Sequence, residues 1–168
     1  MISTVLSEGF AVHLVAASAV FGGVMAGFFF AYSASVVPAL AVLPADAYAA
    51  VMQPINERIR NSAFGVAFFG AIAVPAACAA VVVLRGDWAA QYGRLFLAGV
   101  VVYAIGTIAV TVLVHFPMND AIAAWDPASP PSDWAATRTR WARWNHVRTA
   151  AAIVSFVLYV GALASLGG

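Results

Sequence analysis

Four long stretches of this chain carry no charged side chain, and no other feature limits its fold as strongly. They lie between Glu8 and Asp46, between Arg60 and Arg85, between Arg94 and Asp120, and after Arg148. Each is as long as the roughly 20 residues that a helix, rising about 1.5 Å per residue, needs to cross the hydrocarbon core of a bilayer. Inside that core every backbone polar group must bond within its own segment, so such stretches become helices. The composition agrees: 64% of residues are hydrophobic, 9% are charged, and the mean hydropathy is +0.93. The expectation is an all-α polytopic membrane protein, a four-transmembrane-helix bundle forming one domain over 1–168. Its helices should span about 10–37, 62–84, 94–116 and 146–166, with short interfacial helices in the first and third loops.

All eight basic residues are arginine. Arg58, Arg60, Arg138, Arg140, Arg143 and Arg148 belong to the first and third loops or their edges, against Arg85 and Arg94 in the second. The positive-inside rule then puts the first and third loops in the cytoplasm and both termini across the cell membrane. A secretory leader fits the first stretch poorly, because Glu8 and no Lys or Arg precede it and the run is too long for an h-region. A net charge of +1 spread over loops provides no basic tract. The bilayer is therefore the expected partner and nucleic acid is not. The single Cys78 lies mid-helix and can form no intrachain disulfide.

Along the chain, Ser7 or Glu8 is placed to cap the first helix. That helix holds Gly22, Gly23, Ala26 and Gly27, small residues that let a second helix approach closely. Packing within the bundle is their expected use, a homo-oligomer seam the other. His13 reads as an interfacial histidine. Phe28, Phe29, Phe30 and Tyr32 read as a lipid-facing belt, with a substrate wall as the alternative. Pro38 and Pro44 should end the helix, and Asp46 should cap an amphipathic helix over about 47–61. Tyr48, Met52, Ile55 and Ile59 share one of its faces, with Asn56 and Arg60 beside it. The second transmembrane helix has Pro75 in its interior and is otherwise apolar scaffold; its short loop should make it the antiparallel neighbour of the third.

The third run, Leu95 to Phe116, carries Tyr103, Thr107, Thr111 and His115 at four-residue steps. One otherwise apolar helix thus bears a polar stripe that ends at Pro117-Met118-Asn119-Asp120, expected as a turn. The last helix begins near a cap at Ser132 or Asp133 and runs unbroken into the membrane. Trp134, Arg138, Trp141, Asn145 and Arg148 share one of its faces. Arg148, a turn inside the apolar stretch, requires a partner; Asn56, Asn119 and Asp120 are the candidates.

These residues permit several chemistries. A base such as His115 or His146, an oxyanion site built from Arg148 with Asn56, Asn119 and Asn145, and a Phe- and Trp-walled pocket suit a carbon acid oxidised directly by oxygen. The same two histidines are compatible with haem or metal ligation. A transporter would need a polar path that the second and fourth helices lack. A structural or partner-binding subunit needs only that Asn119 and Arg148 fix the fold.

Taken together, Met52-Gln53-x-Ile55-Asn56 with Asn61, Thr111 with Pro117-x-Asn119, and Trp141-x-x-x-Asn145-x-x-Arg148-Thr149 resemble the anthrone oxygenase family of small four-helix membrane proteins. The likeness covers nearly the whole chain and departs at His115, a position commonly occupied by asparagine. It implies a four-helix fold and, for the few members with an assigned activity, oxidation of an anthrone to an anthraquinone by molecular oxygen with no cofactor and no metal. On this reading His115, Arg148 and Asn119 are the catalytic candidates. Asn56, Asn145, Tyr32, Thr111 and Trp141 would bind a lipophilic aromatic substrate.

Overall fold

Each charge-free stretch is helical in the computed structural model, which describes residues 2–166, with side chains from Gly9 onward. Helix α1 runs over Ile2–Ala31, widens into a π-helical turn at Tyr32–Val36, and continues as Val37–Ala41. Helix α2 is Ala45–Arg58 and α3 is Ser62–Leu84. After a 3₁₀ turn at Asp87–Ala89, α4 runs over Gln91–Tyr103, through π-helical turns at Ala104–Ala109 and Thr111–His115, to Phe116–Ala123. Helix α5 is Trp134–Ala164. No strand occurs among the described residues. Four segments are long and apolar enough to cross a membrane: Gly9–Ala41, Ser62–Leu84, Gln91–Ala123 and Trp134–Ala164. This is a multi-pass membrane protein.

Two prolines expected to stop helices do not. Pro38 and Pro117 each sit in the first turn of a helical continuation, and each follows a π-helical turn. A proline inside an α-helix removes an amide donor and drives its ring into a carbonyl one turn back. A widened turn displaces that carbonyl, so α1 reaches Ala41 and α4 reaches Ala123. Asn119 and Asp120 are thus helical, not in a turn. The expected caps also change. Pro44 occupies the N-cap of α2 with Asp46 inside its first turn, where a carboxylate still complements the helix dipole. Asp133 is the N-cap of α5 but makes no capping bond. Asn61 caps α3, accepting from the Phe64 amide at 3.0 Å. Capping by Ser7 or Glu8 concerns side chains outside the described ones.

The packing order is α3, α1, α5, α4, so α5 and not α3 is the main neighbour of α4. Small residues bring these helices together. A Cβ on Gly23 would lie 2.9 Å from the Phe156 ring, and one on Gly106 would lie 2.3 Å from the Ala151 Cβ. The Gly22–Gly23 surface of α1 is therefore used within the chain, against α5. Helix α3 packs against α4 chiefly along its Gln91–Tyr103 segment, after their connecting loop. Close packing gathers at the loop end, where Val15, Cys78, Val82, Phe96, Tyr159 and Ala162 are buried. A second apolar cluster joins Leu40, Tyr48, Met52, Ile122 and Trp141 at the opposite end, under α2.

Candidate functional site

At the α2 end the structure holds a partly open cavity of about 350 Å³. Its walls are aromatic, with Phe28, Phe29 and Tyr32 from α1 and Phe64, Phe68 and Phe69 from α3. Phe28, Phe29 and Tyr32 thus line the cavity as wall rather than belt, whereas Phe30, 57% exposed, keeps the belt position. Helix α4 contributes Thr111, His115 and Asn119, and α5 contributes Trp141 and Arg148. No Asp or Glu is among the lining residues.

Arg148 is the electrostatic centre. Its Nη2 donates to Asn145 Oδ1 at 2.6 Å and its Nη1 to Thr111 Oγ1 at 3.4 Å, while the guanidinium carbon lies 4.3 Å from the Phe29 ring centroid. Nε is buried without a partner. The expected partner Asp120 is instead at the surface, 3.8 Å from Arg60. Asn145 does not line the cavity; it positions Arg148 from behind. With its oxygen committed to Arg148, its Nδ2 donates to Ser33 Oγ at 2.7 Å. Ser33 is then left to donate to Thr149 Oγ1 at 2.7 Å, and Thr149 to the Asn145 or Phe29 carbonyl at 2.8 and 3.1 Å. The donors run in one direction along this chain, which fixes the amide orientation of Asn145 and ties α1 to α5.

The stripe of α4 is buried as a unit: Tyr103, Thr107, Thr111 and His115 are 3%, 0%, 5% and 1% exposed. Thr111 donates to the Thr107 carbonyl at 2.7 Å, leaving its oxygen for Arg148. The Tyr103 hydroxyl is buried and unpartnered. His115 lies edge-on to Trp141, with ring centroids 5.0 Å apart, and neither ring nitrogen has a hydrogen-bond partner. Trp141 Nε1 donates to Asn119 Oδ1 at 2.8 Å, which leaves the Asn119 amide hydrogens as its free donors.

Two other candidates lie elsewhere. Asn56 is buried, 8% exposed, with Nδ2 unpartnered, but it is not among the cavity residues. His146 is exposed and lines a separate cleft with Arg138 and Arg143, so it does not share a cavity with His115. Among the described residues, no three or more His, Cys, Asp or Glu side chains are grouped as a metal site would require.

In the sequence Gln53 and Thr149 stand out only as motif positions, and Ser33 does not stand out. Gln53 Nε2 donates to the Ile122 and Trp125 carbonyls, both at 2.9 Å, and so caps the C-terminus of α4 from α2. Arg138 does the same for α1, donating to the Leu43 carbonyl at 3.1 Å while it stacks on Trp134 at 4.7 Å. Tyr48, beneath Arg138, is pushed up to about 12 by burial, against the pull of that charge, and stays a neutral phenol. A polar residue within an apolar run, as at Ser33, was the available signal.

The sequence model of a known family, anthrone oxygenase, matches residues 60–158, more than half of the chain. The chain belongs to the anthrone oxygenase family. The match holds Thr111, His115, Asn119, Trp141, Asn145 and Arg148, whereas Tyr32 and Asn56 come from α1 and α2, outside it. No curated protein and no solved structure matches the chain.

Proposed function

We propose that this anthrone oxygenase family member is an oxidoreductase of the cell membrane. Its pocket lies at the cytoplasmic boundary and takes a flat, lipophilic carbon acid of the anthrone type, oxidised by O₂ with no bound cofactor. The observation that carries this reading is Arg148, a cation at membrane depth with no counter-ion among the described residues, facing a cavity whose lining holds no carboxylate. A buried charge without its opposite favours an anionic ligand or an anion formed in place.

The reaction follows from that requirement. A neutral His115 ring nitrogen, free of other hydrogen bonds, accepts a proton from the ring CH₂. The electron pair moves onto the carbonyl oxygen, where Arg148 and the Asn119 amide stabilise it. The electron-rich enolate then reduces O₂, and a carbon–oxygen bond forms to give a hydroperoxide. Loss of the second carbon-bound proton and cleavage of the O–O bond release water, so that CH₂ and O₂ become C=O and H₂O. Aromatic walls hold the flat ring system and keep water from competing for these donors.

The test uses the full chain in phosphatidylcholine vesicles with anthrone in air. The expected result is anthraquinone formed with one O₂ consumed per product, and kcat/KM lower by about 100-fold or more in Arg148→Gln. Turnover no faster than in protein-free vesicles would overturn the reading. A second reading draws on the hydrogen-bond chain from Arg148 to Ser33, which suits a purely structural subunit. It expects Arg148→Gln to lower the unfolding temperature with no anthraquinone binding to lose.

A further inference from the structure

We propose that ligands enter this cavity sideways from the lipid, uncharged, through the gap between α3 and α4, and that Gly65 sets the width of the entrance. The ligand's acidity rests on the proposed function; the entrance itself does not.

Three observations carry the route. First, α3 packs against α4 chiefly along Gln91–Tyr103. Further along, both helices line the cavity, α3 with Gly65, Phe68 and Phe69 and α4 with Thr111, His115 and Phe116. The lining residues most open to the outside at apolar depth are Phe69 and Phe116, 67% and 49% exposed. Second, the water-facing rim is spanned by charge: Arg60, at the start of α3 and itself a lining residue, pairs with Asp120 on α4 at 3.8 Å, so an apolar molecule meets exposed charged side chains on that side. Third, Gly65 is unlike the glycines that seal the bundle. A Cβ there would meet nothing within 4 Å, whereas one on Gly70 would lie 2.3 Å from the Phe21 ring and one on Gly99 2.8 Å from the Tyr159 ring. Those two glycines let helices touch. Gly65 stands one turn inside α3, beside open space that belongs to the cavity.

The rim chemistry selects the protonation state. An anion passing between Phe69 and Phe116 would shed its water with no partner in sight, a cost that a neutral molecule avoids. Once inside, the same molecule lies against Arg148, where the ionised form becomes the favoured one. The substrates that satisfy both steps are lipophilic weak acids, enolisable ketones or phenols, that are neutral in the bilayer and lose a proton only in the pocket.

Two measurements on the full chain in phosphatidylcholine vesicles test this. In a Cys78→Ala background, Gly65→Cys carries a nitroxide, which should collide more with lipid-dissolved oxygen than with a water-soluble nickel chelate. Contact dominated by the chelate would overturn the entrance without reference to any ligand. The second probe is 1-hydroxypyrene, followed by energy transfer from tryptophan. Its entry rate should fall about tenfold or more in Gly65→Phe, change less than about twofold in Gly65→Ala, and be unmoved by Arg60→Trp. Equal rates in wild type and Gly65→Phe, or slow entry in Arg60→Trp, would overturn the route. Arg148→Gln separates the two readings, since it should weaken equilibrium binding of the probe and spare its entry rate. Unchanged binding in that variant counts against the anion site alone.

Discussion

The two ends of the bundle are made from nearly the same apolar vocabulary and behave as opposites. At the loop end, Phe96 stacks on Tyr159 with centroids 4.9 Å apart, Gly99 receives the Tyr159 ring, and Ser155 donates to the Gly99 carbonyl at 2.9 Å. Helices there touch through small residues. At the α2 end the helices meet through bulky rings instead, with Phe28 against Phe64 at 5.3 Å between centroids and Phe64 stacked on Phe68, and these rings line the cavity. The contrast shows that in lipid a void comes from where bulk is placed, not from polarity alone. Polar groups then collect in the space that results.

That contrast can be broken by exchanging tolerance between the ends. Gly106→Leu, driven against Ala151, should destabilise the bundle by about 1–3 kcal/mol or more, while Gly65→Leu should lower the unfolding free energy by no more than about 0.5 kcal/mol. Denaturant titration in detergent compares the pair; equal losses would end the distinction. Asn145→Ala should cost about 1–3 kcal/mol, because it strands Arg148 and Ser33 together, and it should lower turnover as well. Trp141→Phe keeps the wall but frees Asn119, a change of about 1 kcal/mol, read best as weaker anthraquinone binding with the fold intact. Arg60→Gln, at a pair whose side chains are 69% and 75% exposed, should shift stability by less than about 1 kcal/mol, and less still in high salt.

Much of the architecture was legible in the order of residues. Gaps between charges located the spans because a bilayer tolerates few other patterns, and α3 runs over Ser62–Leu84 as that spacing implied. The inward face of α5 was readable too, since Trp141, Asn145 and Arg148 recur at helical steps. What stayed hidden depends on backbone width and on neighbours. Residues at four-residue steps drift by about 40° per step on an ideal α-helix, so Tyr103 and His115 should lie about 120° apart. Both are nonetheless buried, and two π-helical turns over that stretch break the ideal α-helical phase. No local rule announced those turns, and proline rules pointed the other way at Pro38 and Pro117. Nor does spacing along the chain reveal that α4 turns its stripe toward α5, or that Ser33 meets Asn145 more than a hundred positions away.

The widened turn at Thr111–His115 makes the imidazole's aim a matter of counting. A π turn amounts to one surplus residue absorbed within a helix, so deleting a single residue between Thr107 and His115 would tighten the coil and swing everything beyond it by about 100°. Tyr103 would keep its place while His115, Pro117 and Asn119 rotated away together. A shortened chain of this kind could still thread the bilayer four times, yet its ring nitrogen would look out at acyl chains instead of at a guest.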